Sequence, residues 1–220
     1  MSDDRTAVPA ASRRGLVAGI MVLLLLAAAG GGFIAGRAGE PDDESAEAGF
    51  ARDMATHHAQ AVEMSMIAVQ RSANDDVRTL ALDMGLTQQA QIGMMRAWLD
   101  TWNLSPTATG PAMAWMSDDT AMSHDNMTGT PSTGGDRPVM PGMATTAELD
   151  TLRQSRDAAF DGYFVDLMVR HHNGGLQMVD AVLARDPDPL VRDLATSMKR
   201  GQQSEIATLE QIKADLPERR

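Results

Sequence analysis

The chain has 220 residues, a net charge of −11, no cysteine, 17 methionines and only 4% aromatic residues. Without cysteine there are no disulfides, thiolate metal sites, iron–sulfur clusters or lipid attachment through an N-terminal Cys, so His, Met and carboxylates are the metal ligands that remain. From Ala38 onward 28 acidic residues stand against 15 basic ones, a net −13, and such a surface argues against nucleic acid, whose phosphates need a basic patch.

Residues 1–14 read as a short cytoplasmic segment. The stretch from Gly15 to Gly36 then carries no charge over 22 residues, and at about 1.5 Å per residue it matches the roughly 30 Å hydrocarbon thickness of a bilayer. Arg13 and Arg14 precede it, and Glu40, Asp42, Asp43 and Glu44 follow. The positive-inside rule puts the N-terminus in the cytoplasm and the rest outside. The leading reading is a single-pass transmembrane anchor at 15–36. A cleaved signal with small residues at Ala35 to Ala38, or a twin-arginine signal in "SRRGLV", are the competing readings. All three export the remaining chain, which begins with an acidic linker at 37–47.

The exported part contains an internal repeat. At a constant offset of 114 residues, Phe50 meets Phe164, Met54 meets Met168, His57 and His58 meet His171 and His172, and Met64 meets Met178. The match runs on through Arg71, Val77, Arg78, Leu80, Ala81, Met84, Gln88, Gln89 and Ile92, giving 14 identities over 50 positions without a gap. A duplicated helix–turn–helix unit is the reading. The units are assigned to 48–102 and 147–216, joined by a Met-rich flexible linker at 103–146.

Turn formers divide each unit, "SANDD" at Ser72 to Asp76 and "RDPDP" at Arg185 to Pro189. Helices are expected at about 48–71, 75–101, 157–185 and 188–215. The second carries one apolar stripe through Val77, Leu80, Ala81, Met84, Ile92, Met95 and Leu99. Two antiparallel hairpins bury such stripes best against each other, so the predicted fold is all-α, a four-helix bundle built from two duplicated hairpins. The linker is too poor in apolar periodicity for another bundle helix, though "TTAE" offers a capping box from Thr145 to Glu148. It also holds Met113, Met116, Met122, Met127, Met140, Met143 and His124.

Adjacent helical residues point about 100° apart, so His57 and His58 do not readily chelate one ion together. Each pair should send one ring to its own hairpin and the other across the bundle. Met54 lies three and four residues before the first pair, and Met64 seven beyond His57; Met168 and Met178 repeat this. Hairpin geometry centred near residue 73 sets His57 and His58 beside Gln88 and Gln89, and Met64 beside Met84. The second unit sets His171 and His172 beside Gln202 and Gln203, and Met178 beside Met198.

Imidazole with thioether suits copper, Cu(I) above all, whereas Mg, Ca and Zn prefer oxygen, or nitrogen and thiolate. The candidate metal ligands are His57, His58, His171 and His172, with Met54, Met64, Met168 and Met178 as soft partners. Met84, Met198 and His124 stand behind them. The plainer alternative is a non-enzymatic interaction module in which His–Gln layers only set the register of the bundle and Met fills the core. No Glu-x-x-His, His-Glu-x-x-His, phosphate loop or Gly-x-Ser-x-Gly occurs, so no catalytic residue is assigned. Glu63 is the one carboxylate near the first pair, and Gln177 replaces it in the second.

The pattern Phe164-x-x-x-Met168-x-x-His171-His172-x-x-x-Leu176-x-Met178, with "MPGM" at Met140 to Met143, "FDGYF" around Asp161, and Leu194-Ala195, Gln202 and Glu205-Ile206, resembles the bacterial "domain of unknown function 305" family. The resemblance covers about Ala48 to Leu216. It implies a ferritin-like helical bundle in exported or anchored proteins, some of them copper-binding and linked to copper tolerance. Handover of copper from this domain would make a copper-handling protein its expected partner. One departure is Gly174-Gly175 after the second pair, where Ala is commoner beside one Gly; each glycine lowers helix propensity by about 1 kcal/mol.

Overall fold

Three of the four long helices start where a short polar side chain satisfies the first free backbone N–H groups, and the fourth, after Arg156, has no side-chain cap. In the computed structural model, which describes residues 40–108, 110–116 and 140–217, helix α1 spans Ala46–Arg71 and is capped by Ser45, which accepts from the Ala48 N–H. Helix α2, Asp75–Thr101, is capped by Asn74, which accepts from Asp76 and Val77. The short α3, Thr146–Gln154, opens on the expected capping box, with Thr145 and Glu148 each bonded to the other's backbone. Helix α4, Asp157–Leu183, follows, and α5, Pro189–Asp215, begins with Asp188 as cap and Pro189 in the first turn, where its fixed φ suits the helix and its missing N–H costs nothing.

All described elements are helical, and none is a strand. They belong to one compact unit beginning at Pro41. Helix α1 packs along α2, α4 along α5, and α1 crosses α4 between the hairpins, while α2 and α5 touch only lightly. The expected anchor at 15–36 lies outside the described residues. Among the described ones no helix is long and apolar enough to cross a membrane.

The core falls into two apolar clusters, and their membership changes at the same level on all four long helices. Along α1, Ala48 to Met54 belong to one cluster and Ala61 to Ala68 to the other. Helix α2 runs the opposite way, from Val77, Ala81 and Met84 to Ile92, Met95 and Leu99. Helix α4 repeats the order of α2, and α5 that of α1. Sequence neighbours are therefore antiparallel throughout. The residues at each change of cluster are polar and buried: His57 and His58, Gln88, His171 and His172, and Gln202.

Helix α3 lies outside this four-helix frame. Leu149 and Leu152 sink into the core, Arg153 pairs with Glu63 of α1, and Arg170 of α4 grips Glu148 through two hydrogen bonds of 2.6 and 2.7 Å. The hydrogen bond from Arg170, more than any other influence, holds the Glu148 carboxyl at about 2. Glu63 is thus tied up in a surface ion pair.

Candidate metal centre

The four paired histidines are at most 1% exposed, so every ring nitrogen must find a partner or go without. His57 and His171 meet across the two hairpins, their rings 3.8 Å apart and inclined by 31°. His58 and His172 turn back to their own hairpins. His58 Nε2 lies 2.8 Å from Gln91 Oε1, and His172 Nε2 lies 2.6 Å from Glu205 Oε2. One ring of each pair thus faces its own hairpin and the other crosses the bundle.

The partners differ from those expected by simple levelling. Gln89 and Gln203 are exposed, and the histidines meet Gln91 and Glu205, three residues past Gln88 and Gln202. Side chains on a helix lean toward its N-terminus. In an antiparallel hairpin the lean carries α1 side chains away from the turn and α2 side chains toward it. A contact therefore joins Cα positions that lie farther from the connection than a flat projection predicts. The same shift occurs in both hairpins, as their shared sequence requires.

The hydrogen bonds decide where the lone pairs lie. His57 Nε2 stands 3.0 Å from the Pro141 carbonyl oxygen, which can only accept, so this nitrogen donates and Nδ1 keeps its lone pair. His172 Nε2 likewise donates to the Glu205 carboxylate oxygen. His58 Nε2 donates to the carbonyl end of Gln91. Among the described residues, His57 Nδ1, His58 Nδ1, His172 Nδ1 and His171 Nε2 are buried without a hydrogen-bond partner, as are Gln88 Oε1 and Gln202 Oε1. Buried polar atoms are seldom left unpaired. Here they repeat in both halves of one layer.

Burial also favours the neutral form of His57, His58 and His171. Desolvation, against the opposing hydrogen bond to the Pro141 carbonyl, lowers His57 to about 4. Desolvation and then the neighbouring His57 lower His58 to about 3, against the bond to Gln91. His171 is pushed well below the ordinary value by desolvation and then by His57 and His172. A neutral imidazole with a free lone pair is the form that binds a metal.

The methionines flank this layer on both sides. Met54, Met178 and Met198 lie in the cluster on one side, with Met95 and Met140, while Met168, Met64 and Met84 lie in the cluster on the other. Each side therefore holds one methionine from each of the three repeated positions. All six are buried to 1% exposure or less. His124, Met122 and Met127 lie outside the described residues.

The linker contributes more than the sequence suggested. Met140 to Ala144 form a strap over the histidine layer, held by the His57–Pro141 bond and by two bonds between Gln60 and the Ala144 backbone, of 2.9 and 2.6 Å. Gly142 has φ of +76°, and a Cβ on Gly174 would stand 2.1 Å from the Pro141 oxygen. A Cβ on Gly175 would stand 2.7 Å from Gln202 Oε1. The two glycines leave α4 continuous and serve close packing against the strap and Gln202. Farther along, Ala114–Met116 form a 3₁₀ turn whose Trp115 packs edge-on to Phe50 and donates to buried Asp53 at 2.8 Å. Gln91, Trp115 and Asp53 were not singled out from sequence, and Pro141 entered only within the "MPGM" motif. The 114-residue offset does align Gln91 with Glu205, two acceptors at one position.

The donor set fits a soft cation in its chemistry: four unpartnered ring nitrogens between two thioether clusters. In its geometry it is not a closed cage. Among the described residues no group of three or more His, Asp or Glu is gathered for one ion.

The family profile described as "Domain of unknown function (DUF305)" matches residues 47–213. No curated protein matches the chain. Among solved structures, a DUF305 protein of Streptomyces coelicolor, described as secreted, is 37% identical, with 79% of this chain and 95% of that chain covered and a TM-score of 0.68. A DUF305 fragment from Deinococcus radiodurans is 31% identical, with 78% and 97% covered and a TM-score of 0.60. CopM in its Cu(I)-bound form is 20% identical, with 80% and 97% covered and a TM-score of 0.56, and CopM is also known in Cu(II)-bound, Ag-bound and apo forms. At that identity the likeness to CopM concerns the fold.

Proposed function

The chain belongs to the DUF305 family, and from that premise we propose that it is a non-enzymatic copper-binding protein of the cell envelope that buffers copper or hands it to a copper-handling partner. His57, His58, His171 and His172 supply nitrogen, and Met54, Met64, Met168 and Met178 supply soft sulfur. Met84 and Met198 are reserves behind them, and His124 in the linker is a further ligand. Cu(I) is the preferred ion, because thioether and neutral imidazole suit it best. One observation carries the reading: four buried imidazoles in one layer, each with an unpartnered ring nitrogen, lie between two methionine clusters. The copper- and silver-bound forms of CopM, a protein of similar fold, support it.

The location is part of the proposal. An uncharged segment at 15–36 with arginines before it and carboxylates after it supports a membrane anchor with the helical domain outside the cytoplasm. The Streptomyces coelicolor relative, described as secreted, supports export.

Titration of the purified chain with Cu(I) against a competing chelator tests the reading. Replacing all four histidines by leucine should abolish tight binding, and unchanged affinity would reject it. The second reading is a structural layer that sets the bundle's register, favoured by the His57–His171 stack and the bonds to Gln91, Pro141 and Glu205. It predicts a melting temperature indifferent to copper, whereas a ligand of the native state at 100 times its Kd adds about 2.7 kcal/mol.

A further inference from the structure

His58 and His172 occupy equivalent places in the repeat, and each presents Nε2 to the residue 33 positions farther along the chain. Those residues differ. Gln91 offers an amide oxygen at 2.8 Å and Glu205 a carboxylate oxygen at 2.6 Å. The amide of Gln91 can turn and present its NH2 instead, so it supports either tautomer of His58. The carboxylate of Glu205 has no amide end to turn toward the ring, so its oxygen favours the Nε2–H tautomer of His172 and leaves Nδ1 as the lone-pair nitrogen. That Nδ1 is buried and unpartnered, as is Nδ1 of His58.

A carboxylate behind a ligating histidine does two further things. It makes the imidazole a stronger donor, and it supplies negative charge next to a buried cation. Glu205 is 15% exposed and the ring it meets 1%, so the charge acts through little solvent. Gln91 supplies no charge.

We infer that the two halves of the layer are unequal: Glu205 makes the His172 half the tighter and first-filled cation site, and Gln91 leaves the His58 half weaker and more readily emptied. This rests on the copper-binding reading and adds an order of filling to it. A protein that keeps one ion and exchanges another needs such a difference. Glu205 and Gln91 are positioning residues that act through the histidines.

The test uses the full-length chain, with Cu(I) as probe in a chelator competition that resolves successive binding steps. Two steps are expected. Glu205→Gln should weaken the tighter step by about 10- to 100-fold, the usual effect of losing such a supporting partner, and Gln91→Glu should tighten the weaker one. Nitrogen-15 NMR of the metal-free protein should find His172 in one tautomer, mixed after Glu205→Gln, which a merely space-filling role would not produce. Intact binding in a single step, or two steps that neither substitution moves, would overturn this inference alone. Absence of Cu(I) binding by the unsubstituted chain would overturn the copper reading and this inference with it.

Discussion

His57 and His171, 114 residues apart in the chain, stack with their rings 3.8 Å apart at the centre of the bundle. Each comes from the equivalent place in its own repeat. The stack joins the two hairpins where α1 crosses α4, and it divides the apolar core in two.

The stack offers a way to separate a structural role from a ligand role. Phenylalanine at position 171 keeps a ring against His57 and removes the unpartnered Nε2. The metal-free His171→Phe protein should melt within a few degrees of the parent or higher, since an unsatisfied buried polar atom is lost. Its stabilisation by Cu(I) should shrink. Thermal melts with and without Cu(I) read both effects, and undiminished stabilisation would remove His171 from the ligand set.

Acid should loosen the fold through the same rings. Burial lowers His57 from 6.5 to about 4 and His58 to about 3, so the unfolded chain takes up protons that the folded chain refuses. Stability from this source is whole above about pH 6.5 and is lost as pH falls through 4 and then 3. The complete loss is on the order of 3 kcal/mol for His57 and about 5 kcal/mol for His58. Denaturant unfolding at pH 7, 5 and 4 should follow that fall. His58→Leu should flatten the slope, and a slope unchanged in that variant counts against it.

Two glycines in helices should respond oppositely to alanine. At Gly174 a Cβ meets the Pro141 backbone at 2.1 Å, and at Gly201 it meets nothing within 4 Å. Gly174→Ala should destabilise by about 1–3 kcal/mol as the strap is displaced, despite better helix propensity. Gly201→Ala should stabilise by up to about 1 kcal/mol. Urea midpoints compare the two directly.

The 3₁₀ turn is held through one buried carboxylate. Asp53 accepts from the Met113 N–H and from Trp115 Nε1, each at 2.8 Å. Trp115→Phe should keep the packing on Phe50 and lose one donor, at a cost of about 1–3 kcal/mol. Proteolytic cleavage near residues 110–116 should accelerate in that variant, and an unchanged cleavage rate would show that packing alone anchors the turn.

Helix boundaries were legible because capping is local. Asn74 serves donors two and three residues on, and the Thr145–Glu148 box closes within four residues. The level of the histidine layer was equally legible, because a gap-free repeat puts His-His and Gln at matching depths in both hairpins. The strap was not, since Pro141 meets His57 across 84 residues and no periodicity marks the contact.

By itself the sequence determined that two like hairpins form and that each carries a histidine pair among methionines, because propensity, capping and repeat spacing all act over a few residues. Only the tertiary structure decided which atoms those histidines meet. Backward-leaning side chains moved their partners from Gln88 and Gln89 to Gln91, and from Gln202 and Gln203 to Glu205. Packing of one hairpin on the other then turned two separate pairs into a single buried layer with a ring stack at its centre.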